Sequence, residues 1–217
     1  MSDLFKNKYK ISSARLQMWD YATEGMYFVT ICTAARECFF GNLVETQCIA
    51  SLPVRYSTIS PVNKIQLNDL GETVEAEWLK TPQLRPDMNL EVAEYVVMPN
   101  HFHGIINIGY NKFNTAIYEN STRRDAMLCV SELDHNSNHD FNGNHKNKFG
   151  PQYKNLASII RGFKAAVTTY ARKNNIRFDW QPRFHDHIIT TDKEYRRIAD
   201  YIIRNPENWH EDQFYLK

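Results

Sequence analysis

Residues 96–106 set Pro99-Asn100 between two apolar runs, with His101 and His103 at the start of the second. Proline fixes φ and asparagine tolerates tight turns, so the dipeptide reads as a turn joining paired strands. Along a strand, residues two apart share a face. His101 and His103 therefore point the same way and Phe102 points to the other, which commits this part of the chain to a sheet. Two imidazoles side by side at a strand edge make half of a divalent metal site. They read equally as a partnered pair beside a core, and the rest of the chain has to decide.

The 217 residues suffice for one large domain or two small ones. A hydrophobic fraction of 42% and a charged fraction of 24% are ordinary for a soluble protein. No apolar run reaches the roughly 18 residues of a membrane span, and the first residues lack a signal-peptide core, so a cytoplasmic location is expected. Cys32, Cys38, Cys48 and Cys129 form no C-x-x-C pair and read as reduced thiols. The net charge of +1 is uninformative, but residues 146–206 hold 13 Lys/Arg against five Asp/Glu. Such an excess fits a phosphate-facing surface or a solvated helix face.

Residues 1–25 are polar and mildly basic, with Arg15, Trp19 and Tyr21 as candidate anchors. Residues 27–33 read as a strand, and residues 38–44 as its hairpin partner with Gly41 at the bend. Asn68 or Asp69 caps a helix over 68–80 in which Leu70, Val74 and Trp78 recur at four-residue spacing. Residues 89–98 and 101–108 form the histidine hairpin. Residues 110–150, rich in Asn, Ser, His, Asp and Lys, read as a polar insertion or mobile loop, and low-complexity composition accounts for His135, His139 and His145. From Asn155, the residues Leu156, Ile159, Ile160, Phe163, Val167 and Tyr170 make one helical stripe. Trp180 to Arg183 is a turn, and residues 184–190 are a strand. Thr191 and Glu194 stand in capping-box spacing before a last helix that Pro206 ends. The order β, β, α, β, β, α, β, α predicts an α+β fold with helices covering an antiparallel sheet.

In that last helix Tyr195, Ile198, Ala199 and Ile202 form the buried stripe. Tyr201 lies on its flank, with Asn205 four residues on along the same edge. A phenol and an amide oxygen thus face one point. Joined to the histidine pair they suit phosphoryl transfer, in which a metal withdraws charge and the phenol attacks. The competing reading of Tyr201 is an aromatic that packs on the sheet.

Three blocks resemble the REP-associated tyrosine transposases, a group of the single-tyrosine HUH transposase superfamily. They are the opening strand over residues 25–33, the histidine signature over 97–104, and the run over 180–189 that continues through Tyr195 to residues 200–206. With residues 160–164 they span most of the chain in the expected order. The resemblance implies a single domain over residues 1–217 with a ferredoxin-like palm. It makes His101 and His103 metal ligands and Tyr201 the nucleophile. Related enzymes carry a glutamine four residues after the tyrosine, and here Asn205 stands there, one methylene shorter. Mg²⁺ or Mn²⁺ is the expected ion for imidazole and amide-oxygen donors. The implied substrate is single-stranded DNA with imperfect hairpins, cleaved and rejoined through a 5′-phosphotyrosine by a monomer or homodimer. Arg15, Arg161, Lys164, Arg183, Arg197 and His187 are the candidate DNA contacts, with Trp180 as a base-stacking platform. Two other classes fit the same residues: a domesticated, non-catalytic hairpin-binding protein, and a metal-dependent hydrolase that uses water.

Overall fold

The computed structural model describes residues 19–46, 62–114 and 153–215. Strand β1 (Gly25–Cys32) alternates Tyr27, Val29 and Ile31 with Phe28, Thr30 and Cys32, so it has much to bury on both faces. A central place in a sheet provides that. The sheet has four strands in the order β4-β5-β1-β6, all neighbours antiparallel: β4 (Leu90–Met98), β5 (His101–Ile108), β1 and β6 (His185–Ile189).

The expected hairpin between residues 27–33 and 38–44 does not form. Both edges of β1 are taken by β5 and β6, so none remains for the following segment. That segment, β2 (Gly41–Thr46), pairs instead with β3 (Val62–Leu67), a strand the sequence reading missed, in a separate two-stranded sheet. At Gly41 the two strands leave no room for a side chain. The glycine φ is +148°, and a Cβ there would stand 2.1 Å from the carbonyl oxygen of Gln66.

Each of the three helices starts on a side-chain cap, at Asn68 and Thr191 as expected and at Asn155 besides. Asn68 accepts from the N–H groups of Leu70 and Gly71 to start α1 (Asp69–Leu79). Asn155 and Ser158 form a reciprocal capping box at α2 (Leu156–Lys173). Thr191 accepts from Glu194 N to start α3 (Asp192–Arg204). Each cap satisfies N–H groups that the helix cannot, typically worth about 1 kcal/mol. The sequence β1–α1–β4–β5–α2–β6 with its strand order is the split β-α-β of a ferredoxin-like α+β fold.

Helices α1 and α2 cover one face of the sheet. There Trp78 lies 4.8 Å from Phe102 and 5.4 Å from Phe163, centroid to centroid, over Tyr27, Val29, Ile31 and Ile106. Gly104 permits this approach, since a Cβ would come within 2.8 Å of the Trp78 ring. Helix α3 covers the other face, where Ile198 and Ile202 pack with Ile105, Ile189, Phe28 and Val96. A β-bulge in β4 between Val92 and Tyr95 adds one residue and shifts the alternation. Val92 and Val97, an odd number apart, therefore both join the α1/α2 side.

Of the expected polar insertion, residues 110–114 form a hydrogen-bonded turn in which Asn111 and Asn114 are buried. The stretch 115–150 lies outside the described residues. Among the described residues, no helix is long and apolar enough to cross a membrane.

Candidate active site and metal centre

The alternation along β5 sends Phe102 into the aromatic core and both histidines to the α3 face, as the spacing requires. His101 and His103 are 0% and 1% exposed, with ring centroids 4.5 Å apart. Asn100 determines the state of the first. Its amide nitrogen donates to the carbonyls of Arg36 and Phe214, both at 2.9 Å, which turns its oxygen to His101 Nδ1 at 2.8 Å. An amide oxygen only accepts, so Nδ1 carries the proton and Nε2 a lone pair. That Nε2 is buried with no hydrogen-bond partner.

The second imidazole bridges two hydroxyls. His103 Nδ1 is 2.8 Å from Thr30 Oγ1, and its Nε2 is 3.2 Å from the Tyr201 phenol oxygen. Helix α3 brings Tyr201 there because Ile198, Ala199 and Ile202 are its buried stripe and Tyr201 stands on the flank, 42% exposed. Phe28 stacks on the His103 ring at 5.3 Å and meets the Tyr201 ring edge-on. Burial drives both imidazoles to the neutral form. It pushes His101 well below its ordinary value, helped by His103 and Arg36, and pushes His103 down to about 3, helped by His185. Neutral imidazole is the form that ligates a metal. Burial and then the charge of Asp212 push the Tyr201 phenol up to about 12, with Asn205 acting in the opposite direction. It is protonated at neutral pH.

Asn205, at the C-cap of α3, is 2% exposed. Its amide nitrogen donates to Asp212 Oδ2 at 3.0 Å, and its Oδ1 is buried without a partner. Beyond α3 the chain folds back over the histidines. Trp209 and Phe214 lie 5.8 and 4.7 Å from the His101 ring, and one ligand atom each from His101, His103 and Asp212 lie within 4.8 Å of one another. An orphaned imidazole lone pair within a His-His-Asp cluster, beside a buried amide oxygen that also lacks a partner, suits a divalent cation.

A groove of about 850 Å³ opens on the exposed side of Tyr201. Arg36, Arg183, Arg197, His185 and His187 line it with Phe184 and Phe214, and among the described residues no carboxylate does. Three of the expected DNA contacts, Arg183, Arg197 and His187, thus share one groove with Tyr201. His187 also pairs with Glu194 at 2.7 Å, and that carboxylate accepts from Thr190 N as well.

Three others stand elsewhere. Arg161 is exposed on α2, near Arg85 on the far side of the sheet. Trp180 is 9% exposed among Phe40, Phe163 and Phe178, and its indole N–H donates to Lys164 O, so it is a core residue and not a stacking platform. Lys164 donates to the carbonyls of Gln181 and Arg183, at 2.8 and 3.0 Å, and lies 5.7 Å from the Trp180 ring centroid. Its burial pushes its ammonium down to about 8. Its charge is committed to a loop in which Arg183 adopts φ +71°, a left-handed conformation costly for any side chain. Arg15 lies outside the described residues. In the sequence nothing local marks Thr30, Arg36, Asp212 or Phe214 as part of a site, and Asn100 reads as a turn residue only.

No known family model matches the chain. Among solved structures, a REP-associated tyrosine transposase bound to a REP hairpin is similar at a TM-score of 0.46 and 18% identity, over 92% of this chain and 74% of that one. A Haemophilus influenzae protein named only as uncharacterized is 34% identical over 205 residues, covering 94% of this chain and 92% of its own length. At that identity along nearly the whole of both, the chain belongs to the family of the Haemophilus influenzae protein.

Proposed function

We propose that the protein is a DNA-processing enzyme of the tyrosine transposase type. Acting in the cytoplasm, it cleaves and rejoins single-stranded DNA bearing an imperfect hairpin. The observation that carries this reading is the Tyr201 phenol oxygen 3.2 Å from His103 Nε2, at the edge of a groove lined by three guanidinium groups. The sequence blocks over residues 25–33, 97–104 and 180–206 support it independently.

In the proposed reaction the backbone phosphate lies in the groove against Arg36, Arg183 and Arg197, which position it without reading sequence. Tyr201 Oη attacks phosphorus, forming a 5′-phosphotyrosine and breaking the bond to the 3′ oxygen, which leaves as a hydroxyl. A 3′-hydroxyl from another strand then reverses the attack and rejoins the DNA. The phosphotyrosine conserves the bond energy, so no nucleotide cofactor is needed. A phenol held near 12 and a His103 held near 3 make a poor nucleophile–base pair by themselves. A cation such as Mg²⁺ or Mn²⁺, held by His101 Nε2 and His103 with an oxygen donor such as Asn205, would supply the charge that favours the phenolate. His101 is fixed for this by Asn100. We place residues 1–217 in one domain, with 110–150 as an insertion and Arg15 as a further phosphate contact.

The test is incubation with labelled single strands flanking the protein's own locus, with and without Mn²⁺. A Mn²⁺-dependent covalent adduct mapped to Tyr201 is expected, with hairpin strands outcompeting the matching duplex. Binding with no cleavage would leave a hairpin-binding protein, and cleavage with no adduct a hydrolase.

A further inference from the structure

We propose that Asp212, on the segment after α3, is an anionic ligand of the cation that His101 and His103 hold, with Asn205 as its positioning residue. This rests on the metal-dependent reading above and adds a donor that lies seven residues past the expected amide. Three observations carry it.

One carboxylate oxygen of Asp212 lies within 4.8 Å of a ring nitrogen of each histidine. Donors on one small ion are separated by roughly 3–4 Å, given bonds of about 2 Å. A modest rotation of side chains closes that gap. The carboxylate is also held in place, since Asn205 Nδ2 donates to Oδ2 and Phe214 N donates to Oδ1 at 2.7 Å. Each oxygen keeps a lone pair for a cation. Finally, no ion pair among the described residues involves Asp212: two imidazoles and a phenol lie beside it, and the Arg36 guanidinium nearby is turned to the Gln213 carbonyl and the Phe214 ring. The Nε2 of His101, in the same cluster, is buried with no hydrogen-bond partner.

An imidazole pair with one carboxylate and open positions favours a borderline divalent ion over one that prefers oxygen alone. The carboxylate cancels one of the two ionic charges, which a neutral amide cannot do. Asp212 therefore sets affinity, while Asn205 orients it.

The experiment is Mn²⁺ binding to the DNA-free protein by calorimetry and Mn²⁺ electron resonance, with the visible spectrum of bound Co²⁺ as a direct readout of the donor set. Asp212→Asn, which preserves shape and removes charge, should weaken Mn²⁺ binding tenfold or more and alter the Co²⁺ bands. Asp212→Glu should stay within about fivefold of wild type, and His101→Ala should lose the site. Thermal melts of the metal-free variants check that each is folded. Wild-type Mn²⁺ affinity and an unchanged Co²⁺ spectrum in Asp212→Asn, with binding lost in His101→Ala, would overturn the role of Asp212 and leave the histidine site standing. Unchanged binding in both variants would overturn the metal reading as well.

Discussion

Phe102 and its neighbours His101 and His103 are consecutive on β5, yet they live in different solvents. Phe102 meets Trp78, Tyr95 and Phe163, and among the described residues the one orphaned side-chain polar atom on that side is the indole nitrogen of Trp78. The histidines meet an amide, two hydroxyls and a carboxylate, and two lone pairs there go without partners. An unsatisfied buried polar group costs about 1–3 kcal/mol. The histidine cluster is therefore a local cost to the metal-free fold, offset by the aromatic face behind it and by the Ile105, Ile189, Ile198 and Ile202 cluster beside it. Strand alternation is what lets one segment serve both, because period two separates the solvents by a single residue.

The widest separation between the faces should come from Tyr201→Phe. It removes one hydroxyl whose bond is to His103, so the fold should lose at most about 1 kcal/mol while adduct formation falls below detection, a loss of about 10³-fold or more. Denaturing gels read the adduct, and a urea titration reads stability. Phe102→Ala is the converse. It should cost about 3–5 kcal/mol in unfolding while the folded fraction still forms the adduct. A folded Phe102→Ala that forms no adduct would break the division of labour, as would a Tyr201→Phe that unfolds. Gly104→Ala pushes a methyl against the Trp78 ring and should cost about 1–3 kcal/mol by the same titration. Lys164→Met sharpens the boundary between the faces. It unties the 181–183 loop from α2, and should cost about 1 kcal/mol of stability with a several-fold loss of strand affinity by anisotropy. An unchanged affinity would mean that the loop holds its shape without the clamp.

Local signals in the sequence carried most of this. The Pro99-Asn100 turn, the caps Asn68 and Thr191, and the Tyr201–Asn205 edge each depend on residues within five of one another. What depends on distant partners was not legible. The pairing of β1 with β5 and β6 joins residues 69 or more apart, and a nearby hairpin looks cheaper because short loops close easily. Lys164 and Trp180 read as a cation and an aromatic free to meet DNA. Nothing local says that the one caps carbonyls and the other fills a core. Asp212 lies beyond the helix end, where the 3.6-residue period no longer gives a direction.

Asn100 has a consequence for when this chemistry can switch on. A single side chain gathers Arg36, His101 and Phe214, and its own carbonyl receives the N–H and hydroxyl of Thr33. Segments separated by up to 114 positions must all arrive before the histidine tautomer is set. No fragment, and no partly folded intermediate, can hold the reactive arrangement. Under the proposed function, strand breakage would thereby be confined to fully folded molecules, a safeguard for the DNA of the cell that carries the protein.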